Sequence, residues 1–356
     1  MSDIEVVIPT RNEAENLESV LTDLFNQSLP PKRVILVDDN SVDATKDIAR
    51  KFGCEAVTLT TCPRILVVMV ARNEEKFLPQ SLGSVLNQTL KPSRVIVVDD
   101  RSVDHTFEMA REFALRNPRI TVVKRISMSN LEHQTEIPKA FNMGLQTNTD
   151  PWDFLAKVDA DIILEPNYFA EILKAFKYDI HLGIAGGQTV NEPTVAVRGG
   201  NRIIRKECWS QVSDSGLMPV FDAEDTYIDL KAKYHGWKIE LVSAARSFHL
   251  RPIKQWATDK ILKQRWRIGV TSYRFGYNPL LFVGRMLKLA VFERPRLVTF
   301  APMMMGWIYA FLTHKKIEEE LRRYQRRTQI IRVRRVLNEF FKFPFRTMKR
   351  ILSAQL

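Results

Sequence analysis

Apolar runs of strand length alternate with amphipathic helical stretches through the first 250 residues. One run ends in Arg-Asn-Glu at positions 72–74 and leads into a helical stretch. The next, RVIVV at 94–98, ends in Asp99-Asp100 and continues through Ser-Val-Asp-x-Thr to a second helix. ITVVK (120–124) reads as a further strand, IPKAFNMGL (137–145) as a short helix, and DFLAKVDADIILEP (153–166) as a strand ending in acids. EDTYIDLKAKYHGWKIELV (224–242) reads as a helix, a turn at Gly236 and a strand. Strands apolar over four or five consecutive residues are those buried on both faces. The pattern therefore predicts an α/β fold with a mostly parallel sheet sandwiched by helices.

The first part of this pattern occurs twice. Residues 5–52 align without a gap to 66–113, and 24 of the 48 aligned pairs are identical. Two copies are too few for a solenoid. Only the second copy runs on into further strands; after the first, Cys62-Pro63 leads straight into the second. The first copy is thus half of a nucleotide-binding unit, about 60 residues long, marginal alone and expected to pack against the body. Asp43 and Asp104, the third acids of the repeated motif, stand where N-caps of the following helices are expected. Three regions result: a half-repeat at 1–62, a main α/β unit at 63–275 and a tail at 276–356.

The tail changes character. NPLLFVGRMLKLAVF (278–292) is apolar apart from Arg285 and Lys288, and LVTFAPMMMGWIYAFLTH (297–314) holds no ionised side chain but is interrupted by Pro302. At 18 residues the second stretch is borderline for a bilayer span, which needs about 20. Beyond it, Ile317, Leu321, Tyr324, Thr328 and Ile331 fall on one helical face amid Arg and Lys. The chain's net charge of +12 lies here, because 276–356 hold 17 Lys and Arg against 5 Asp and Glu. A basic amphipathic helix beside an apolar segment predicts attachment to an anionic membrane surface, peripheral or single-span, at the cytoplasmic face. Nucleic acid would leave the apolar segment without a use. The competing reading is a core helix packed on the body with a solvated basic face.

Composition narrows the class further. With 45% hydrophobic and 26% charged residues, the chain is neither fibrous nor disordered. Cys54, Cys62 and Cys208 have no metal-ligand spacing, which fits a reducing compartment and argues against a disulfide framework or structural zinc. MSDIEVVIPTRNE lacks a basic and then apolar leader, so no cleavable export signal is expected.

The candidate chemistry centres on Asp159-Ala160-Asp161. These acids follow FLAKV, so they emerge at the carboxyl end of a strand, where open α/β sheets bind ligands. Residues i and i+2 share a face, and hard carboxylate oxygens select Mg²⁺ or Mn²⁺, the ions that bridge diphosphates. A lone Asp-x-Asp is weak. Its company strengthens it: Asp99-Asp100, Asn142, Gly144, and Glu224-Asp225 opening a helix, where isolated acids would merely oppose the helix dipole.

In order, VARNE (70–74), VDDRSVDHT (98–106), AFNMGL (140–145), DAD (159–161) and EDTYIDLKAKYHGWKI (224–239) resemble the family 2 inverting glycosyltransferases of GT-A fold. The resemblance covers about 65–250, and residues 4–60 repeat its first half. It implies a UDP-, GDP- or dTDP-sugar donor, a lipid-linked or glycan acceptor, and Mn²⁺ or Mg²⁺ held by Asp159, Asp161 and His249. It implies donor contacts from Arg72, Asn73, Glu74, Asp99, Asp100, Lys139, Asn142, Asp159 and Arg265, with Asp100 on the base. Asp225 would be the general base and Glu224 its neighbour; a like charge beside Asp225 would raise its pKa. Two features depart from the family pattern. Leu262 replaces the Gln of the processive members' Gln-x-x-Arg-Trp, although Arg265-Trp266 are present. Val70-Ala71 replace the Pro-Thr that the first copy keeps as Pro9-Thr10, so the first copy, through Asp39, is the rival nucleotide site. A sugar nucleotidyltransferase would need a Gly-rich loop where this chain has Arg-Asn-Glu. The non-enzyme alternative is a membrane-bound sugar-nucleotide sensor or scaffold. Residues 186–202, with their Gly pairs, are expected to form a mobile acceptor flap.

Overall fold

The computed structural model describes residues 4–39, 41, 43–58, 63–126, 133–192, 196–251, 258–292 and 300–342. Its strands form two sheets. The smaller is parallel throughout, in the order β1 (Glu5–Thr10), β2 (Arg33–Asp38), β3 (Glu55–Thr58), with α1 (Ala14–Phe25) and α2 (Thr45–Lys51) as crossovers. The larger contains β4 (Ile65–Ala71), β5 (Arg94–Asp100), β6 (Ile120–Arg125), β7 (Phe154–Val158), β8 (Ile162–Leu164), β9 (Leu182–Thr189), β10 (Asn201–Arg205) and β11 (Lys238–His249). Their spatial order is β6-β5-β4-β7-β10-β9-β11-β8.

The half from β6 to β7 is parallel, as the apolar runs predict. The other half is mixed: β10 runs antiparallel to both neighbours, β11 parallel to β9, and β8 antiparallel to β11. The stretch expected as one strand ending in acids divides at Asp159. β7 stops at Val158, and the chain crosses to the opposite edge of the sheet before resuming as β8. The two acids occupy this crossing. Ser81 Oγ fixes it by donating to the carbonyl of Ile162 at 2.7 Å.

Period-two alternation explains why β4 is apolar throughout. Ile65, Val67 and Met69 face α3 (Leu78–Leu86) and α6 (Tyr168–Tyr178), while Leu66 and Val68 face α5 (His133–Thr147) and α7 (Lys206–Val212). All five are at most 1% exposed, and each contributes about 2 kcal/mol by burial. In the small sheet, Val34 and Leu36 are buried under α1 and α2, whereas Val7 on the other face is 59% exposed. The small sheet has its own core and shares no strand with the large one. It is β4 and β5 of the second copy that pair with β7 and β6.

After α8 (Glu224–Tyr234) and β11 comes α9 (Thr258–Arg274), and the tail comprises α10 (Pro279–Phe292), α11 (Phe300–Leu312) and α12 (Glu319–Lys342). Among the described residues, no helix is long and apolar enough to cross a membrane. Residues 297–299 of the apolar stretch lie outside the described residues. The α12 face expected to meet lipid instead packs largely on the body. Leu321 is 4% exposed against Tyr227, Leu230 and Phe275, and the Tyr324 hydroxyl donates to the carbonyl of Lys233 at 2.9 Å. Only farther along does that face open, at Ile331. Cys54 and Cys208 are free and buried; Cys62 lies outside the described residues.

Candidate active site

The carboxyl ends of β4, β5 and β7 converge on a cleft of about 650 Å³, within the range of small-molecule sites. Arg72, Asn73 and Glu74 line it from the loop after β4, Asp100 from the end of β5, and Lys157, Asp159 and Asp161 from β7 and its turn. Arg251 enters from beyond β11, and Ile137 and Phe141 from α5.

The Arg-Asn-Glu loop is shaped by hydrogen bonds to the next motif. Asn73 has φ 56°, a left-handed conformation that Asn tolerates better than most residues. Its N–H donates to Ser102 Oγ at 3.0 Å, and its Oδ1 accepts from the Val103 N–H at 2.9 Å. The N–H of Glu74 donates to Thr106 Oγ1 at 2.7 Å. Asp104 does more than the expected capping. It sits one residue before the N-cap His105 of α4 (Thr106–Arg116), and its Oδ1 accepts from the Thr106 N–H at 3.1 Å. Its other oxygen accepts from the Glu75 N–H at 3.3 Å, tying the two loops together. Asp43 does the same in the first copy, through Thr45 and Ala14.

Where the copies differ is instructive. Asp38, despite burial, is held below the usual carboxylate range by Ser41 and by Lys46 at 3.1 Å. In the second copy Phe107 stands in place of that lysine, and burial pushes the equivalent Asp99 upward. Asp99 is fully buried and does not line the cleft. Asp100 does line it. Its carboxylate accepts from Arg101 Nε and Arg125 Nη1, both at 2.9 Å, and both arginines also pair with buried Glu136. Asp39 of the first copy is an exposed acid beside exposed Arg11. We expect Asp100→Ala to lose donor binding and Asp39→Ala to retain it, as read by calorimetry; loss only with Asp39→Ala would move the site to the first copy.

Three further expected donor contacts are not among the residues lining the cleft. The Asn142 amide is spent on the main chain of Met218, donating at 2.8 Å and accepting at 2.7 Å, which pins the loop before α8. Lys139 pairs with Glu136 at 3.2 Å. Arg265 is buried in α9, which packs along α11, away from the cleft lining.

At the acidic end, Asp159 is exposed to the cleft, yet enough protein crowds its carboxyl to push the pKa upward. Lys157 opposes that shift, while Asp161 and Asp225 add to it. Asp161 Oδ2 faces His249 Nε2 at 3.1 Å and accepts from Arg251 Nε at 2.9 Å. The other nitrogen of His249 faces Glu192 Oε1 at 3.1 Å. Arg251 also pairs with Glu74. Burial, opposed by Arg251, pushes Glu74 up to about 7, and its Oε2 is buried without a hydrogen-bond partner among the described residues. The structure thus brings Asp161 and His249 together. Among the described residues, no three acid or imidazole groups stand close enough to hold an ion as they are.

Glu224 and Asp225 begin α8, outside the cleft lining, presented by Ala223 at φ 65°. A left-handed alanine costs of order 1 kcal/mol and is typical of a functional turn. The expected pKa order is reversed. Burial and Asp225 push Glu224 up to about 7, whereas Asp225, despite burial, is held low by Lys157 and Arg202. Lys157 Nζ lies 3.6 Å from Asp225 and 3.7 Å from Glu224; Arg202 Nη1 lies 3.8 Å from Asp225 and 2.9 Å from Asp229. Lys157 stays charged: its burial is outweighed by Asp225, Asp159 and Glu224.

The stretch 186–202 is strand at its two ends and loop between, with 193–195 outside the described residues. Residues 186–189 belong to β9 and 201–202 to β10. Gly199 and Gly200 form a wall against Asp225 and Asp159, outside the cleft lining itself. A Cβ on Gly199 would lie 1.8 Å from Asp225 Oδ2, and one on Gly200 2.2 Å from Asp159 Oδ2.

Sequence reasoning missed Lys157, Arg202, Arg251 and this glycine wall. A charged residue inside the apolar run FLAKV, two positions before Asp159 and so on the same strand face, was the available signal for Lys157. Arg251 stands likewise two residues after His249.

Comparison with known proteins agrees with this geometry. The model of glycosyl transferase family 2 matches residues 5–61 and 66–211. An undecaprenyl-phosphate mannosyltransferase of Micrococcus luteus is 32% identical over 135 residues, 37% of this chain and 53% of that protein. A chondroitin synthase of Escherichia coli is 29% identical over 133 residues, 37% of this chain and 18% of that protein. The chain spans about half the length, or less, of these curated relatives. The solved mannosyltransferase PcManGT from Pyrobaculum calidifontis, in complex with GDP-Man and Mn²⁺, shares the fold. Its TM-score is 0.51 at 17% identity, covering 81% of this chain and 84% of that one. By its motifs, its sheet and the family model that matches more than half of its length, the chain belongs to glycosyl transferase family 2.

Proposed function

We propose that this chain transfers a sugar from a nucleoside-diphosphate sugar to an acceptor hydroxyl with inversion, with Asp225 as general base. One observation carries the reading. Adjacent glycines of a single wall abut Asp225 and Asp159, so an ionised base stands one residue's span from the acid at the end of a diphosphate-sized cleft. Asp100, with Arg101 and Arg125, offers a paired acceptor and donors to the base. Lys157 and Arg202 keep Asp225 charged and oriented, so that it can take the acceptor's proton as the bond forms.

Asp159, Asp161 and His249 would hold Mn²⁺ or Mg²⁺. Hard oxygens with an imidazole suit either ion, and the Arg251 guanidinium held between Asp161 and Glu74 supports a cation at this end of the cleft. When bound, the ion would neutralise charge growing on the departing diphosphate. The named substrate of the Micrococcus luteus relative supports a lipid-linked acceptor.

A lipid surface also fits the tail. Leu280, Val283 and Leu287 are exposed along α10, and Met305, Ile308 and Leu312 along α11, each at helical spacing, beside Arg285, Lys288, Lys315 and Lys316. Short helices with apolar stripes and flanking basic residues lie in the interface of anionic bilayers. We expect the protein to co-sediment with phosphatidylglycerol vesicles more than with phosphatidylcholine vesicles, and Leu287→Glu with Leu312→Glu to release it. Equal sedimentation of the double variant would remove this face from the proposal.

The test of the function is a thermal-shift screen of UDP-, GDP- and dTDP-sugars with Mn²⁺, followed by turnover and the anomeric configuration of the product. One donor is expected to raise the melting temperature and be consumed with inversion. A retained anomer would exclude Asp225 as an inverting base, and no shift or turnover with any donor would sink the proposal.

A further inference from the structure

We propose that Arg251 is a built-in stand-in for the divalent cation. Its guanidinium fills the acidic end of the cleft and must leave when the ion enters. The inference rests on the metal reading above and goes beyond it, because it concerns what holds the site before any ion arrives.

The geometry is specific. Arg251 Nε donates to Asp161 Oδ2 at 2.9 Å, while a terminal nitrogen pairs with Glu74 Oε1. One guanidinium thereby bridges acids from the β7–β8 turn and the loop after β4. The same Asp161 oxygen also faces His249 Nε2 at 3.1 Å. The carboxylate that faces the ring is therefore already engaged by a cation. Arg251 cannot make way by losing its proton, since guanidinium stays charged at any working pH. It can only move. It is placed to do so: its side chain is 39% exposed, and Phe77 flanks it at 5.6 Å without enclosing it. A partly exposed pair is a weak one, and a doubly charged ion outcompetes a single charge for the same carboxylates.

Displacement has a consequence for binding order. An ion entering alone takes Asp161 from Arg251 and gives it nothing in return. An ion entering with a diphosphate supplies phosphate oxygens, which guanidinium groups bind in bidentate fashion. Metal alone should therefore bind poorly, and metal with nucleotide should bind well.

Mn²⁺ binding without nucleotide, read from the electron paramagnetic resonance signal of free Mn²⁺, tests the competition. Arg251→Gln should bind Mn²⁺ about fivefold more tightly than the native chain, the effect of one lost ion pair. Equal or weaker binding would overturn the proposal. Removing a positive charge could tighten binding without displacement, so a second measurement follows the side chain itself. In protein labelled with ¹⁵N-arginine, the Arg251 Nε resonance is the one absent from Arg251→Gln. It should move towards the position of solvated arginine as Mg²⁺ saturates the native chain. A resonance that stays put while Mg²⁺ binds would overturn displacement and leave the metal site standing. If Mn²⁺ binds to neither protein even with a donor sugar nucleotide present, the metal reading itself fails and this inference with it.

Discussion

Asp225→Asn should lower kcat by about three orders of magnitude while leaving donor affinity within about twofold. The amide keeps the shape of the carboxylate and its fit against Gly199 but cannot take a proton. Lys157 and Arg202 remain beside it, so the fold keeps its buried charges partly matched. Donor contacts lie across the wall and should survive, which makes calorimetry with the donor the control. Glu224→Gln should behave differently. Glu224 is pushed up to about 7 by burial and by Asp225. Above that pH it is ionised and shares Lys157 and Arg202 with Asp225; as pH falls through about 7 it takes a proton. Both cations then act on Asp225 alone and make it a weaker base. The native pH profile of kcat/KM should therefore fall on the acid side with a midpoint near 7, and the Glu224→Gln profile should be flat there. A limb that persists in Glu224→Gln would belong to another group. Full activity in Asp225→Asn would remove the proposed base.

The glycine wall gives the second large effect, and it separates binding from turnover. Gly200→Ala places a methyl 2.2 Å from Asp159 Oδ2, so the carboxylate must swing away and donor affinity should drop at least tenfold. Gly199→Ala places one 1.8 Å from Asp225 Oδ2 and should cost about a hundredfold in kcat with donor affinity nearly unchanged. Neither glycine has a positive φ, so an alanine meets no backbone penalty and both variants should fold. Similar losses of both quantities in both variants would mean that the wall acts as one unit, without the division of labour described here.

Much of this arrangement was legible in the residues. The unbroken apolar runs gave β4, β5 and β7 because a strand buried on both faces has no polar side to show. The two acids after FLAKV were found at the carboxyl edge because that edge follows from strand direction alone. Pairings over long sequence distances were not legible. Lys157, Glu224 and Asp225 meet only when α8 docks on the sheet that holds β7, and that meeting reverses the pKa order that local sequence predicts. Asn142 looked like a donor contact, but its amide matches the main chain of Met218, a partner that no local pattern announces. On α12, spacing identified the apolar face correctly. Spacing could not say that α8 covers it rather than lipid.

The short edge strand β8 has β11 as its partner in the sheet, through Ile162–Leu164 against Ser247–His249. A chain emerging from the ribosome therefore carries Asp161 for more than eighty residues before His249 and Arg251 exist to meet it. Sequence separation of this kind slows folding. The acidic end of the cleft is consequently among the last places to take shape during synthesis, and a nascent chain cut short of β11 has no means of forming it.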